Sequence, residues 1–411
     1  MFGIRKSLRP FTLCLVAPLG VPIAGAEKPT PKSELEAAIE AIKPIFNARV
    51  RYETVDQDGI AETANALTYR LRAGFETGAI VNTKFLIEFD HIEDLVDDFN
   101  STTNGKTEFP VVADPNATEL NRLQLTNTSL QDTTVTLGRQ RIILDDSRFV
   151  GNVGWRQNEQ TFDGLRVQNG SLGELDLDAS YITQVNRIFG DESPIGVWEG
   201  DTFIFNAKHP SPLGKVTGFA YLLDIENAGG VFSSQTLGAR LNGRQKLGSG
   251  TLTYVASYAQ QQDYGDSPFD YSADYILAEG TYAKKGFSGG LGYELLGGDA
   301  QRGFQTPLAT LHKFNGWADK FLATPNTGIE DLYVKAGYAP GKAGPFKDMK
   351  FTAIYHDFSA DSDGTDYGSE INFVASSKWK KLGLLLKYAD YNSDGFATDT
   401  NKIWVQVDYG F

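Results

Sequence analysis

The segment GRQRIILDDSRFVGNVGWRQ, residues 138–157, gathers Arg139, Arg141, Arg148 and Arg156 in a chain whose formal net charge is −14. A guanidinium stays charged and offers a planar fork that matches a carboxylate, so such clusters suit the binding or passage of anions. Two structural uses compete with that chemistry: a solvated surface loop, and ion pairing to Asp145 and Asp146. Further cations, Arg70, Arg72, Lys84, Arg122, Arg166 and Arg240, fall on the polar positions of alternating stretches. Glu88, Asp163, Glu174, Asp176, Asp178 and Glu294 are read onto polar faces as well. Opposed rows of acids and bases are therefore expected, with Asp163, Glu88 and Asp176 as ion-pair partners. Other chemistry is thin. His91, His209, His312 and His356 come with no serine or acid spacing of a hydrolytic set, and His356 and Asp357, as neighbours in a strand, point to opposite faces. Asp361, Asp363 and Asp366 in DSDGTD lack the register and closing glutamate of a calcium loop and read as an acidic turn. No catalytic residue, metal or cofactor is expected.

The elements that must position these side chains are strands. VNTKFLIEFD, residues 81–90, sets Val81, Thr83, Phe85, Ile87 and Phe89 against Asn82, Lys84, Leu86, Glu88 and Asp90, a period of two. LTYRLRAGF and ELDLDASY repeat it, and so do seven further stretches as far as KLGLLLKYADY. Turn clusters such as NSDG, DSDG and PGKAGP separate them. About 18 strands can be drawn in this way between Asn47 and Phe411. The N-terminus differs. Arg5, Lys6 and Arg9 precede an apolar run from Phe11 to Ile23, and Ala24-Gly25-Ala26 follows, so residues 1–26 read as a cleaved secretory signal. The only cysteine, Cys14, leaves with it. An acidic mature chain should repel nucleic acid, and none is expected as a partner.

A soluble sandwich also alternates, but such domains rarely exceed about 250 residues, and here the pattern runs unbroken to the last residue. A single transmembrane antiparallel β-barrel over residues 47–411 accounts for it better, because hydrocarbon offers no hydrogen-bond partner and only a closed sheet pairs every strand. Arginines facing lipid near the midplane cost roughly 2–4 kcal/mol, so the clustered ones should face a watery lumen. Residues 27–46 read as a periplasmic extension in which Ser33 caps a short helix, Leu35, Ile39 and Ile42 share a face, and Pro44 marks the stop. HKFNGWADKFLATPNTG, residues 312–328, breaks the period and reads as a loop or an inward-folded plug, the alternative being a strand that continues past Phe314. Trp155 and Tyr69 are candidates to stack on sugar rings. The final strand, NKIWVQVDYGF, ends on an aromatic. In this it resembles bacterial outer-membrane barrels, whose assembly machinery is understood to recognise a terminal Phe; Phe411 is the corresponding residue. Outer-membrane lipid and lipopolysaccharide then become expected neighbours.

LGRQRIILDDSRFVGNVGWRQNEQTFDGLRVQN closely resembles a motif of the alginate-export family of Gram-negative outer-membrane proteins. RVRYETVDQDG, ALTYRLRAGFETG and FQTPLATLHKFNGWADKFLATPNTGIEDLYV resemble other parts of that family. The resemblance implies a barrel of about 18 strands that serves as a channel for an anionic uronic-acid polymer, with an arginine-rich constriction. It carries Arg139, Arg141, Arg148 and Arg156 to the solute pathway, Asp163 to a partner role, and Arg70 and Arg72 to the paired arginines of the second strand. A general diffusion porin for small anions or sugar acids is the alternative, and a barrel enzyme or an adhesin stands further off.

Overall fold

The computed structural model describes residues 33–410. The segment expected to be a signal peptide, the first residues of the expected extension and Phe411 lie outside them. The alternating stretches form β1 (Lys43–Gln57), β2 (Ala64–Glu76), β3 (Thr83–Asp98), β4 (Ala117–Asn127), β5 (Thr133–Gln140), β6 (Thr161–Leu172), β7 (Leu175–Asn186), β8 (Val197–Ser211) and β9 (Gly214–Leu223). They continue as β10 (Ser234–Leu247), β11 (Gly250–Gln262), β12 (Ser272–Lys284), β13 (Phe287–Leu296), β14 (Ile329–Ala343), β15 (Phe346–Ser359), β16 (Asp366–Trp379), β17 (Leu382–Ser393) and β18 (Thr400–Gly410). Each strand pairs antiparallel with its neighbours in the chain. β1 pairs with both β2 and β18, in a register running from Asn47 opposite Gly410 to Gln57 opposite Thr400, so the sheet closes and no edge is left.

Parity sorts the side chains. Val50, Leu71, Phe89, Leu137, Leu291, Val334, Leu386 and Val405 stand exposed on the outside, whereas Arg51, Glu53, Thr68, Arg70, Glu88 and Asp90 are buried inside. An outer surface that is apolar around a closed sheet is a lipid-facing surface. Aromatic residues border it at both ends. Toward one rim, tyrosine hydroxyls donate to outward carboxylates, Tyr69 to Glu93 at 2.8 Å, Tyr258 to Asp274 at 2.8 Å and Tyr293 to Glu330 at 3.0 Å. Toward the other, Phe287 stacks on Tyr338 with centroids 4.4 Å apart, and Trp379 is exposed. Such amphipathic rings belong at the two membrane interfaces. No helix among the described residues is long and apolar enough to cross a membrane.

The two ends of the barrel differ in their connections. One end has tight turns, such as residues 81–82, where Val81 and Asn82 both take positive φ (47° and 57°) and join β2 to β3 through a narrow reversal. The other end carries the long connections 99–116, 141–160 and 297–328. In 297–328 the side chains of Phe304, Leu308, Ala318 and Phe321 join the buried apolar cluster, so this segment is the inward-folded plug, with only a short 3-10 turn at Leu311–Lys313. No strand continues past Phe314.

The N-terminal helix differs from expectation in what it packs. α1 (Glu34–Glu40) is capped by Ser33, whose Oγ accepts the Glu36 amide while Glu36 accepts the Ser33 amide. Its apolar residues Leu35 and Ile39 are nevertheless exposed. The contact is made by Ala38, whose carbonyl accepts the Gly78 amide at 3.0 Å. Helical spacing alone did not require that face to be buried. The barrel also begins earlier than residue 47: Pro44 is the second residue of β1, a strand-start position where a missing N–H is tolerated, and does not end the helix.

Candidate functional site

The inner wall of β1 to β4 and the three inward connections meet in a polar cluster. Of the ten cations that the sequence singles out, nine sit in ion pairs. Arg72 holds Asp90 at 2.6 Å and Glu159 at 3.1 Å. Arg122 holds Glu88 at 2.7 Å, and Arg141 reaches Glu88 at 3.7 Å besides pairing with Glu159. Arg148 holds Glu294 at 2.7 Å, Arg166 holds Asp178 at 2.5 Å, Arg240 holds Asp146 at 2.7 Å and Lys84 holds Glu76 at 3.2 Å. Arg156 bridges Glu53 at 3.1 Å, Asp319 at 3.3 Å and Asp114 at 3.7 Å. Arg139 pairs with Asp163 at 2.8 Å, but it stands opposite Leu123 and shares parity with Leu137. That places Arg139 on the outer face near the long-connection end, unlike the others. Arg70 is the exception to ion pairing: it donates to the carbonyl of Gln157 at 3.2 Å and to Asn47. Glu88 is the partner the sequence suggests, three times over. A bulge between β3 and β4 helps, since it brings both Asn121 and Arg122 onto that carboxylate. Asp176 pairs only with Lys215, at 3.9 Å.

Two arginines escaped the sequence reading. Arg49 and Arg51 alternate with Val50 and Tyr52 in NARVRYE, the same signal that exposes Arg70 and Arg72. Arg49 donates to the carbonyls of Gly154, Trp155 and Arg156 at 3.1, 3.1 and 3.2 Å, and to Asp408 at 2.8 Å. Arg51 bonds Gln406 at 2.6 Å and the carbonyl of Trp155, with its guanidinium 4.2 Å from the Trp155 ring. With Arg70 on Gln157, three wall arginines receive the successive carbonyls 154–157 of the inward connection. Asp114, from 99–116, accepts the Gln157 amide at 2.7 Å. Buried carbonyls on a loop need donors, and guanidinium supplies several from one side chain.

The plug segment 297–328 locks onto the same connection. The Gly151 amide donates to the Leu308 carbonyl at 2.9 Å, and the Thr310 amide to the Ser147 carbonyl at 3.0 Å. Arg148 also bonds Asn315 at 3.0 Å. At the tip, Gly316 takes φ +83°, and a Cβ there would lie 2.2 Å from Glu370 Oε2, so only glycine lets the chain pass that carboxylate. Glu370 in turn accepts the amides of Trp317 and Ala318, the latter at 2.9 Å. His312 stacks on Trp155 with centroids 4.5 Å apart, bonds Asp319 through Nδ1 at 2.6 Å and meets Lys387 Nζ through Nε2 at 2.6 Å. Burial drives the His312 pKa well below its ordinary value, outweighing Asp319 and reinforced by Lys387. The ring is thus neutral, donating from Nδ1 and accepting at Nε2. Trp155 is packed by His312, Arg51 and Lys387, and Tyr69 lies on the outer face, so neither is presented as a free platform for a sugar ring.

Above this seat, at the long-connection end, lies a cavity of about 590 Å³. Its walls are largely apolar, among them Ile60, Phe109, Phe189, Trp198 and Phe232. Its charged lining groups are Arg156, Arg187, Asp319, Lys320 and Lys402. Arg156 and Lys402 share Asp319, Lys402 at 2.8 Å. The cavity is therefore apolar in its walls and mostly cationic in its charged lining.

Glu159 makes the seat pH-sensitive. Burial pushes its carboxyl up, but Arg72 and Arg141 outweigh that and hold it at about 2, below the ordinary 4.5. A depressed carboxylate contributes stability that is full above its unfolded value and lost as pH falls through its folded one. Pepsin cleavage within 141–160 should therefore be slow at about pH 4.5 and accelerate toward about pH 2. A rate that simply follows pepsin activity on an unfolded control would contradict this.

The histidine–acid contacts, His312 with Asp319 and His356 with Asp331 at 2.9 Å, are both buried in the wall and plug, and His356 and Asp357 do face opposite sides. No group of three or more potential metal ligands occurs among the described residues. Asp361, Asp363 and Asp366 each accept a backbone amide, from Gly298, Thr365 and Gly368 at 3.1, 3.0 and 2.8 Å, as expected of an acidic turn.

No protein-family model matches the sequence, and no curated protein matches it. Solved structures do. The chain is similar to Acinetobacter baumannii OccAB4, with TM-score 0.69 and 16% identity, over 90% of this chain and 98% of that one. It is similar to Pseudomonas aeruginosa OpdK, solved with vanillate, with TM-score 0.70 and 14% identity over 91% and 99%. Pseudomonas aeruginosa OccK9 (OpdG) gives 0.69 and 15% over 91% and 100%. At that level of identity the likeness speaks for architecture: the fold is the closed antiparallel 18-stranded barrel of these outer-membrane porins.

Proposed function

We propose that the protein is a channel of the Gram-negative outer membrane that passes small organic anions through the barrel lumen, entering at the long-connection end. The observation that carries this reading is the arginine wall of β1 and β2 meeting the inward connections 141–160, through its carbonyls, and 99–116, through Asp114 at 3.6 Å from Arg51, directly beneath a funnel with a cationic lining. Guanidinium groups spaced along a wet wall can hand an anion from one to the next, provided each contact is favourable enough for entry and weak enough for release. Because nearly every predicted cation is already paired, the passing anion competes with wall carboxylates, which keeps each contact weak. A structural relative, OpdK, was solved with vanillate, a carboxylate. The alginate-export resemblance suggests a uronic-acid polymer instead. A cavity of about 590 Å³ has the size of a small solute, which favours the small anion.

Liposome swelling tests this reading. Vesicles containing the purified protein should swell faster in small carboxylates and glucuronate than in glucose, and slowly in oligouronates. Equal rates for glucose and carboxylates would point to a general diffusion porin, and rapid swelling in oligouronates to the polymer channel.

A further inference from the structure

Among the described residues, two cations of the funnel have no carboxylate in salt-bridge contact, and one of them is built into an aromatic setting. Arg187, just beyond the end of β7, places its guanidinium 3.8 Å from the ring centroid of Trp198 and 4.7 Å from that of Phe189. Among the described residues its one hydrogen bond is to the carbonyl of Ile195, at 2.8 Å, and the remaining N–H groups of the fork have no partner there. Lys320 lines the same cavity, 6.0 Å from the Tyr391 ring and likewise without a carboxylate in salt-bridge contact. By contrast, Arg156 and Lys402 at the base are tied to Asp319. Burial lowers the pKa of Arg187 to about 10 and that of Lys320 to about 8, which leaves both cationic at neutral pH. Phe232 packs on Trp198 with centroids 4.9 Å apart and extends the aromatic wall beside Arg187.

We propose that Arg187 is a specificity-determining residue of the entrance, docking carboxylates that carry an apolar body before they reach the arginine wall. This rests on the channel reading and sharpens it. The guanidinium takes the carboxylate through its free edge, while Phe189, Trp198, Phe232 and Phe109 cover the apolar part. A sugar acid would lay hydroxyls on those aromatic walls, where few polar groups could replace their water, so uronates lose at this site although they share the same charge. The pairing demands both features at once: acetate has the charge without the body, and benzyl alcohol the body without the charge.

Equilibrium dialysis of the purified, folded barrel in detergent against benzoate, acetate, glucuronate and benzyl alcohol separates these cases, with empty micelles as the blank. Benzoate should bind at least about tenfold tighter than the other three, a factor that corresponds to about 1.4 kcal/mol. R187Q should lose about that factor for benzoate. W198L should weaken benzoate and leave acetate unchanged, an effect that loss of the guanidinium alone does not give. Heat-modifiable gel migration confirms that each variant is a closed barrel. Benzoate binding unaltered in folded R187Q, or glucuronate and acetate binding as well as benzoate, would overturn the proposal. Failure of the channel reading is seen separately, as absence of conductance when the same wild-type preparation is placed in a planar bilayer.

Discussion

Replacing Arg156 by methionine should loosen the connection 141–160 and enlarge the conducting path while leaving the barrel closed. Arg156 lies buried between Glu53, Asp114 and Asp319, at 3.1, 3.7 and 3.3 Å. Removing one partner from a buried, hydrogen-bonded charge cluster costs about 3–5 kcal/mol, because the carboxylates are left in low dielectric without compensation. The eighteen-strand pairing does not pass through this residue, so the cost falls on the seat of the inward segments. The relief open to the protein is to let water in around Glu53 and Asp114, which means lifting the segments away. Single-channel recording should therefore find R156M with a larger, noisier conductance and a weaker preference for anions, since carboxylates become wetted where a guanidinium stood. K84M removes the cation of a far more exposed pair with Glu76 and should cost less than about 1 kcal/mol, leaving the trace close to wild type. Identical currents from R156M and wild type would mean that the seat does not define the path.

The second large effect concerns the outside. Leu291, midway along β13, projects outward opposite Val334 of β14, and both are about half exposed. If this surface meets acyl chains, an arginine there must either drag water into hydrocarbon or prevent insertion, at roughly 2–4 kcal/mol near the midplane. L291R should unfold at lower urea concentration than wild type in lipid vesicles, whereas L291A should shift it much less. Equal midpoints for L291R and L291A would place water, not lipid, against this face.

The barrel was legible because a period of two survives any reading of the sequence, and because one strand's parity can be checked on the next. Leu71 and Phe89 point outward, and Arg70, Arg72, Glu88 and Asp90 inward, as alternation requires. The Ser33 cap was legible for a similar reason, since it is a contact between residues three positions apart. What could not be read were the partners across the lumen. Arg148 finds Glu294, and Arg156 finds Asp319, only because the barrel closes and the plug folds in. Arg139 illustrates a different limit. In GRQRI, strand parity already gives it to the face of Leu137, yet its charge argued for the lumen. Paired with Asp163 near the rim of the barrel, it need not sit in hydrocarbon. Arg49 and Arg51 show the reverse, a signal present in plain alternation and overshadowed by the denser arginine cluster downstream.

The ion pairs also refine what an arginine-rich lumen means here. The side chains that first suggest an anion path mainly hold the inward segments in place; Arg49, Arg51 and Arg70 do so through loop carbonyls, with Arg51 also 3.6 Å from Asp114 of an inward connection and Arg49 tied to the wall carboxylate Asp408. On the proposed channel function, positioning and conduction are two uses of one surface. Of the three, Arg70 has no carboxylate in ion-pair contact among the described residues, so its charge is the one that a solute anion would feel most fully.

The most direct test of the account is the reversal potential of the purified protein in a planar bilayer under a potassium chloride gradient. A stable conductance is expected, with its reversal potential on the chloride side and a shift toward zero selectivity when Arg49 and Arg70 are replaced by glutamine. A barrel that carries no current, or one whose reversal potential lies on the potassium side, would contradict it.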